Sequence, residues 1–336
     1  MTPHGIRRRG FMRAAAGALW CAGGFAATGR AQAAPRVPRV GYLLLAHLSE
    51  PPSPERRAFL DGLRQLGYVV GQTLVIDYRA AAFNEELLRA HAEELVARKV
   101  DVIVTIGTRS ALVAREVTSS VPIVFPAVAD PLAAGLVKSL RRPEGNATGL
   151  AFMAPELGGK RLELLKEALP RAARVAVVWN PGNAAVDREW RAVQAAAPKL
   201  GVTLLPHPLR SVPDLEGALK TIAGQRPGGL LVLADPMTSS LRPFIIEFAA
   251  RKRLPAMYGW REFVDSGGLM AYGARMPDLF RRAAVYVDKI LKGARPADLP
   301  VEQATEFELV ISLKTARAMG LVLPRALLAR ADRLVE

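Results

Sequence analysis

The chain runs twice through the same order of alternating strands and helices. In the first half the hydrophobic pattern predicts strands over 39–45, 73–78, 100–105 and 121–125, separated by helices over 55–66, 85–99 and 110–117. The second half repeats this order, with strands over 174–179, 202–205, 229–233 and 254–258 and helices over 184–200, 214–223 and 239–253. Three landmarks of the first half, Arg39, Gly67 and Pro122, recur as Arg174, Gly201 and Pro255. Such alternation predicts an α/β protein with two lobes, each a parallel sheet covered by helices on both faces.

The pattern changes from Gly267 onward. A crossing strand is predicted over 268–273, a helix over 279–292 and a late strand over 307–311. A tail of this kind returns to both lobes and ties them together. We therefore expect residues 34–152 with about 268–304 to form the first lobe. Residues 153–267 with about 305–336 should form the second.

The N-terminus has the pattern of an export signal. Arg8-Arg9-Gly10-Phe11-Met12 has the twin-arginine pattern, an uncharged apolar run covers 14–29, and Ala31-Gln32-Ala33 suits a signal peptidase. We expect a signal peptide over 1–33, cleavage near Ala33 and a periplasmic protein. A basic N-terminal tail is the alternative. Cys21 is the only cysteine, and the bulky Trp20 before it argues against lipidation.

Charge and motifs exclude several function classes. The net charge of +15 falls to about +10 without the five arginines of the leader, and the remaining basic residues alternate with acids on predicted helices. Nucleic-acid binding would require a concentrated basic stripe, which this sequence does not have. We therefore expect no nucleic-acid binding. The sequence lacks four motifs that mark common enzyme sites. They are the Gly-x-Gly-x-x-Gly turn of dinucleotide-binding proteins, the Walker A phosphate-binding loop, the His-Glu-x-x-His helix of zinc proteases and the Gly-x-Ser-x-Gly turn of hydrolases. We expect no enzyme activity, no cofactor and no metal.

Candidate ligand-binding residues follow the predicted strands. In open α/β sheets the carboxyl ends of the strands face the ligand crevice. Small hydroxyls, carboxylates, an amide and aromatic rings collect there, which suits a small polar molecule with an apolar part. The candidates are His47, Thr108, Arg109, Ser110, Asp130, Asn180, Asp235, Tyr258 and Trp260.

Each group of candidates has a functional and a structural interpretation. The helix that begins after Gly107 could hold a carboxylate on its free N–H groups, or Thr108 could simply cap it. The carboxylates of Asp130 and Asp235 could bind an ammonium group or start ordinary Asp-Pro turns.

The remaining candidates are a pair of aromatic residues and one histidine. Tyr258 and Trp260 could stack on a ligand or belong to the core. His47 could donate a hydrogen bond to the ligand or be an incidental loop residue.

The ordered motifs along the chain resemble the family of ABC transporter substrate-binding proteins related to the tryptophan- and tyrosine-binding lipoproteins. The matching segments are 100–105, 121–125, Asp130-Pro131, 134–137, 145–149, 160–165, 260–264, 267–272, 307–316 and 328–332. The resemblance implies a type I periplasmic-binding fold: two Rossmann-like lobes, three crossover strands and a ligand in the cleft between them. Members of this family often bind aromatic amino acids.

The resemblance also implies roles for particular residues. The family holds its ligand with small residues after the third strand and with carboxylates from both lobes. These roles carry over to Thr108 and Ser110, and more loosely to Asp130, Asn180 and Asp235. The chain departs from the family in lacking a lipobox. It also has Arg109 where the family has a small or apolar residue, which would favour an anionic or carboxylate-bearing ligand.

Together these observations predict a monomeric periplasmic protein that delivers a small ligand to an inner-membrane ABC permease. The ligand would be an amino acid, an aromatic acid or a carboxylate-bearing compound. Two alternatives remain open at this point: an extracytoplasmic sensor domain that signals to a receptor, and a secreted hydrolase that uses Asp130 or His47.

Overall fold

The computed structural model describes residues 36–152 and 154–336, and Val37–Glu336 forms one compact unit. The predicted signal peptide, with Cys21, lies outside the described residues. Within the described part of the chain, no helix is long and apolar enough to cross a membrane.

The first half of the chain builds a parallel sheet. Its strands are rich in β-branched residues, which suit strands buried on both faces. In chain order the elements are β1 (Arg39–Leu44), α1 (Pro54–Gln65), β2 (Val75–Ala80), α2 (Glu85–Ala97), β3 (Val102–Ile106), α3 (Thr108–Val117), β4 (Ile123–Val128) and β5 (Ala147–Ala151). Sequence reasoning found the first four strands but missed β5, because Ala147-Thr-Gly-Leu-Ala151 is short and contains glycine.

The next elements build a second parallel sheet in the same order. They are α4 (Ala154–Ala168), β6 (Arg174–Trp179), α5 (Ala184–Ala196), β7 (Thr203–Pro208), α6 (Asp214–Gln225), β8 (Gly229–Val232), α7 (Pro236–Ser240), α8 (Arg242–Arg251), β9 (Ala256–Tyr258) and α9 (Glu262–Asp265). The single helix predicted over 239–253 is two helices, α7 and α8, which meet at Leu241.

The C-terminal tail alternates between the two sheets. It comprises β10 (Met270–Ala274), α10 (Met276–Leu291), β11 (Glu302–Gln303), β12 (Phe307–Ser312), α11 (Leu313–Met319), α12 (Arg325–Ala329) and β13 (Arg333–Val335). The strand order is β11-β5-β4-β3-β1-β2 in the first sheet and β13-β12-β10-β9-β8-β6-β7 in the second. The chain thus passes between the sheets three times, after β5, after β10 and after β11.

One predicted boundary is wrong. The sequence pattern predicted that the first lobe resumes at about residue 268, but β10 pairs with β9 and β12 in the second sheet. The chain leaves that sheet only after Ala274, and α10 then packs on α1 and β4 of the first sheet. The prediction was wrong because the local sequence of a strand next to a crossing does not show which of the two sheets the strand joins.

A close backbone approach fixes β10 where the crossing begins. A Cβ atom on Gly273 would lie 2.3 Å from the carbonyl oxygen of Gly259, so only glycine fits there. Beside it the rings of Tyr272 and Phe307 lie 6.2 Å apart, and the N–H of Arg275 donates to the carbonyl of Glu306 at 3.1 Å. The second and third crossings therefore contact each other directly.

Two arginines bind the carboxylate of Glu94 on α2. Arg79 binds Glu94 through two hydrogen bonds of 2.7 Å, and Arg98 adds a third at 2.9 Å. These bonds, above all those from Arg79, lower the pKa of Glu94 from its ordinary 4.5 to about 2. Since the folded pKa lies below the unfolded one, the stabilisation is present above pH 4.5 and lost as the pH falls toward 2.

We expect Glu94→Gln to lower the urea midpoint at pH 7 and to have progressively less effect as the pH falls below 4.5. Urea unfolding of both proteins at a series of pH values between 7 and 3 measures this difference. Glu93→Gln, a neighbouring exposed carboxylate without an ion pair in the described structure, is the control. A difference that stays constant with pH would contradict the assignment.

Candidate functional site

The predicted site residues lie at the carboxyl ends of neighbouring strands. In the first sheet β3 pairs with β4, and in the second β6 pairs with β8 and β8 with β9. Adjacent strands lie about 4.8 Å apart, so the segments after them can share one small ligand. The start of α3 and Asp130 therefore follow neighbouring strands at the same edge of the first sheet, and Nδ2 of Asn180 reaches Oδ1 of Asp235 in the second.

The start of α3 offers hydrogen-bond donors that the protein does not use. Gly107, at φ +83°, is the N-cap residue, and no side chain caps the helix. Thr108 is the first helical residue rather than the cap, so the alternative interpretation of Thr108 is wrong. Ser110 is fully buried, and its hydroxyl has no hydrogen-bond partner. A buried hydroxyl beside an uncapped helix start is an arrangement that can bind an anion.

Arg109 lies on the exposed side of the same turn. Its guanidinium is ion-paired with Glu85 at 2.7 Å and with Glu116 at 4.0 Å. Its charge is therefore compensated by two acids of the protein, on α2 and α3.

Asp130 links the two sheets. Its Oδ1 accepts a hydrogen bond from the N–H of Ala133, as in an ordinary turn, and its Oδ2 lies 2.7 Å from Nη2 of Arg188 on α5. Ala129 and Ala185 pack together beside this ion pair. Sequence reasoning missed Arg188, because an arginine in the second turn of a helix has the pattern of any surface residue.

Asp235 is a buried organising residue. It is 1% exposed and accepts hydrogen bonds from the N–H of Met237 (2.8 Å), from Nδ2 of Asn180 (3.2 Å) and from Nδ2 of Asn183 (2.9 Å). It caps α7 and at the same time fixes two amide side chains at the end of β6. Both of its oxygens are occupied by protein donors, so Asp235 orients Asn180 rather than facing the crevice.

A fully buried ion pair lies behind Asp235. Arg161 on α4 and Glu189 on α5 are 1% and 0% exposed, and Nη1 of Arg161 donates to Oε1 of Glu189. Burial raises the pKa of Glu189 against the opposing effect of Arg161, and the charge of Asp235 raises it further. Nε of Arg161 also donates to the carbonyl of Tyr272 at 2.7 Å. No sequence motif signalled this pair.

The two predicted aromatic residues differ in position. Tyr258 is fully buried and stacks on Phe263 at 4.4 Å, so it belongs to the core, as its alternative interpretation held. Burial raises the pKa of its hydroxyl, which has no hydrogen-bond partner. Trp260 packs half-buried against the same core cluster, and its buried indole N–H is also unpartnered.

His47 lies in the exposed loop after β1, where its ring meets that of Phe83 edge-to-face at 5.8 Å. Phe83 is 52% exposed and, like Ala82 before it, has a positive φ. An exposed aromatic ring on a strained turn is a candidate contact for an apolar ligand group. Sequence reasoning missed Phe83 because it did not include the end of β2 in its list of strand ends.

The described residues contain no group of three or more histidine, cysteine, aspartate or glutamate side chains that could hold a metal ion. The site consists instead of hydroxyls, an uncapped helix start, one interlobe ion pair, ordered amides and aromatic rings.

Comparison with known proteins gives the family. The family model for the ABC transporter substrate binding protein matches residues 48–335. A tyrosine-binding protein from Clostridioides difficile is 28% identical over 280 residues, which cover 82% of this chain and 80% of that protein.

Solved structures show the same fold. A conserved domain protein from Vibrio cholerae superimposes with a TM-score of 0.81 at 31% identity, covering 89% of this chain and all of that one. An ABC domain from Streptococcus pneumoniae in complex with L-Trp superimposes with a TM-score of 0.81 at 24% identity, covering 89% and 99%.

The two sheets, parallel except for the antiparallel pairing of β10 with β12, their three connecting passages and these structural neighbours confirm the predicted type I periplasmic-binding fold. The match over 48–335 confirms the predicted family resemblance along nearly the whole described chain. The chain belongs to the family of ABC transporter substrate-binding proteins.

Proposed function

We propose that this protein is the periplasmic solute-binding component of an ABC importer and captures an amino acid with an aromatic side chain. The ligand would bind in the cleft between two lobes, residues 36–152 with 275–304 and residues 154–274 with 305–336. Two relatives support this ligand class: one is named a tyrosine-binding protein, and the other was solved with L-Trp.

The observation that carries the proposal is the unpartnered hydroxyl of Ser110 at the uncapped start of α3. Burying a hydroxyl without a hydrogen bond is unfavourable. A ligand carboxylate at this position would accept hydrogen bonds from Ser110 and from the free N–H groups of the first helical turn. Thr108, the first helical residue, would bind the same carboxylate.

The other parts of the ligand would contact both lobes. Asp130, from the first lobe, would accept the ammonium group. Asn180, held by Asp235, would present its amide from the second lobe. Trp260 and the His47–Phe83 pair are the proposed contacts for the ring. Since the ligand touches both lobes only when they close, it stabilises the closed form by that difference in contacts.

The proposed location follows from the leader. Twin-arginine export and cleavage near Ala33 would release the mature protein into the periplasm, where as a monomer it would present its closed form to an inner-membrane ABC permease. Binding in this scheme needs no catalytic group.

Isothermal titration of the mature protein against the twenty amino acids, aromatic acids and dicarboxylates tests the proposed function. We expect tyrosine, tryptophan or phenylalanine to bind most tightly. Mass spectrometry of small molecules released from the purified protein is the companion measurement. No binding across the panel, together with no co-purified ligand, would overturn the proposal.

Ser110→Ala separates a ligand contact from a structural one. Because the hydroxyl bonds to nothing in the protein, its removal should leave the free energy of unfolding unchanged or slightly higher. Loss of a hydrogen bond to a charged carboxylate should weaken ligand binding by about 1.5–3 kcal/mol, roughly 10- to 150-fold. Calorimetry and urea unfolding measure the two effects.

Thr148→Val is the matched control for Ser110→Ala. The Thr148 hydroxyl is equally buried but donates to the carbonyl of Leu299 at 2.7 Å. This substitution should destabilise the protein and leave ligand affinity unchanged. If Ser110→Ala instead behaves like Thr148→Val, Ser110 is a structural residue.

A further inference from the structure

We infer that Arg188 neutralises the carboxylate of the ligand, and that its ion pair with Asp130 makes the site selective for zwitterions. This inference rests on the proposed function and adds to it a charged residue from the second lobe. In a closing cleft, the ligand carboxylate and Asp130 together carry one more negative charge than the ligand ammonium group balances, and a buried unpaired charge is unfavourable. The site therefore needs a cation.

Arg109 does not supply that cation. It is the arginine nearest in sequence to the start of α3, but Glu85 and Glu116 already compensate its charge. Binding a ligand carboxylate with Arg109 would require breaking its short contact with Glu85.

Arg188 lies beside the proposed carboxylate site. Asp130 and the start of α3 follow neighbouring strands of the first sheet, and Nη2 of Arg188 is 2.7 Å from Asp130. Asp130 therefore connects Arg188, from the second lobe, with the sheet edge at which α3 starts. An α-amino acid carries its two charges only one carbon apart, so its ammonium group can reach Asp130 while its carboxylate pairs with Arg188 and with the donors at the start of α3.

One edge of the Arg188 guanidinium has two donors that the protein does not use. Nε and Nη2 are both buried, and neither donates a hydrogen bond. Nη2 is close to Oδ2 of Asp130, but its N–H direction does not meet that oxygen. These two nitrogens form one edge of the guanidinium fork, which binds carboxylates in a bidentate manner.

Charge balance then determines which ligands fit. An ammonium group that takes Asp130 separates it from Arg188 and leaves the guanidinium uncompensated. A ligand that also brings a carboxylate pairs that guanidinium again, so every charge stays paired. An amine without a carboxylate, or an acid without an ammonium group, leaves one charge of the pair alone in the closing cleft.

The test compares Arg188→Gln with the unchanged mature protein by isothermal titration. The probes are L-tyrosine and L-tryptophan, their amines tyramine and tryptamine, and the acids 4-hydroxyphenylpropionate and indole-3-propionate. Arg191→Gln on the same helix is the matched control, since it removes one arginine whose only described partner is Asp187. Circular dichroism verifies the folding of each variant, and Arg188→Lys keeps the charge without the fork.

We expect the unchanged protein to bind an amino acid at least about 30-fold more tightly than its amine or its acid, and Arg188→Gln to lose about 30-fold or more in amino-acid affinity. Affinity for the amine should stay the same or rise, because Asp130 is released from Arg188. Arg188→Lys should recover part of the loss, and Arg191→Gln should bind as the unchanged protein does.

Two results would overturn the inference in distinguishable ways. If the unchanged protein binds tyrosine or tryptophan and Arg188→Gln binds them equally well, the role of Arg188 is refuted while the proposed function stands. If the unchanged protein binds neither amino acid, the proposed aromatic ligand class is refuted and the role of Arg188 falls with it.

Discussion

Glu189→Gln should lower the free energy of unfolding by about 3–5 kcal/mol at pH 7, because it leaves the guanidinium of Arg161 buried without a counter-charge. Arg161 is 1% exposed, so solvent cannot take the place of the lost carboxylate. Glutamine nearly preserves the volume of glutamate, so the decrease in the free energy of unfolding measures the effect of the lost charge rather than a change in packing. Urea unfolding of the mature protein measures it as a shift of the midpoint.

The reciprocal substitution, Arg161→Met, should cost less than Glu189→Gln. Burial already raises the pKa of Glu189, so without Arg161 this carboxyl can take up a proton and become neutral. The double variant Arg161→Met/Glu189→Met should be more stable than Glu189→Gln alone, since it removes both buried charges.

Asp187→Asn is the control for the buried pair. Asp187 lies on the same helix and pairs with the exposed Arg191, an i,i+4 contact worth about 0.3–0.5 kcal/mol. If Glu189→Gln shifts the midpoint no more than Asp187→Asn does, the buried pair does not hold α4 to α5.

Asp235→Ala should weaken ligand binding by about 10-fold or more and lower the free energy of unfolding by about 2–4 kcal/mol. It removes the acceptor of one backbone N–H and two side-chain amides, and each hydrogen bond contributes roughly 0.5–1.5 kcal/mol. Asn180 and Asn183 would lose their common acceptor and keep only the hydrogen bonds that their Oδ1 atoms accept from the N–H groups of Gly182 and Ala185, so each amide is less firmly held. Affinity therefore falls through disorder at the site, although Asp235 itself does not touch the ligand.

Calorimetry with the tightest-binding amino acid, beside urea unfolding, measures both effects of Asp235→Ala. Asp214→Ala is the control: this exposed carboxylate also accepts backbone hydrogen bonds, from Arg210 and Ser211 before α6. It should destabilise the protein less and leave affinity unchanged. Full ligand affinity in Asp235→Ala would show that Asn180 does not need this anchor or does not bind the ligand.

Local pattern was sufficient to predict most of the fold. Aliphatic runs such as Val175–Trp179 alternate with amphipathic helices, and this alternation alone implies parallel sheets. The recurrence of Arg39, Gly67 and Pro122 in the second half of the chain predicted a second lobe. Pattern could not assign β10 to its sheet, because that depends on pairing with β12, from Phe307 onward.

The candidate site was predictable only as a set of strand ends. Thr108, Ser110, Asp130 and Asn180 lie at the expected edges, since strand order brings those ends together. The sequence could not show that Asp235 is enclosed by Asn180 and Asn183, or that Tyr258 lies in the core. Asp130 and Arg188 belong to different predicted lobes, and a local hydrophobic pattern cannot predict a contact between two such residues.

The contact from Arg161 to the carbonyl of Tyr272 determines where the molecule can bend. Glu189 follows Arg188 directly on α5, and Arg161 connects Glu189 to Tyr272, two residues before β10 ends and the second crossing begins. The second turn of α5 and strand β10 are thus held together through Arg161. In the proposed closure, the rotation within the second and third crossings falls at Ala274–Arg275 and 304–306, and a pair of ligand-free and ligand-bound crystal structures should show backbone dihedral changes there and none over 270–272.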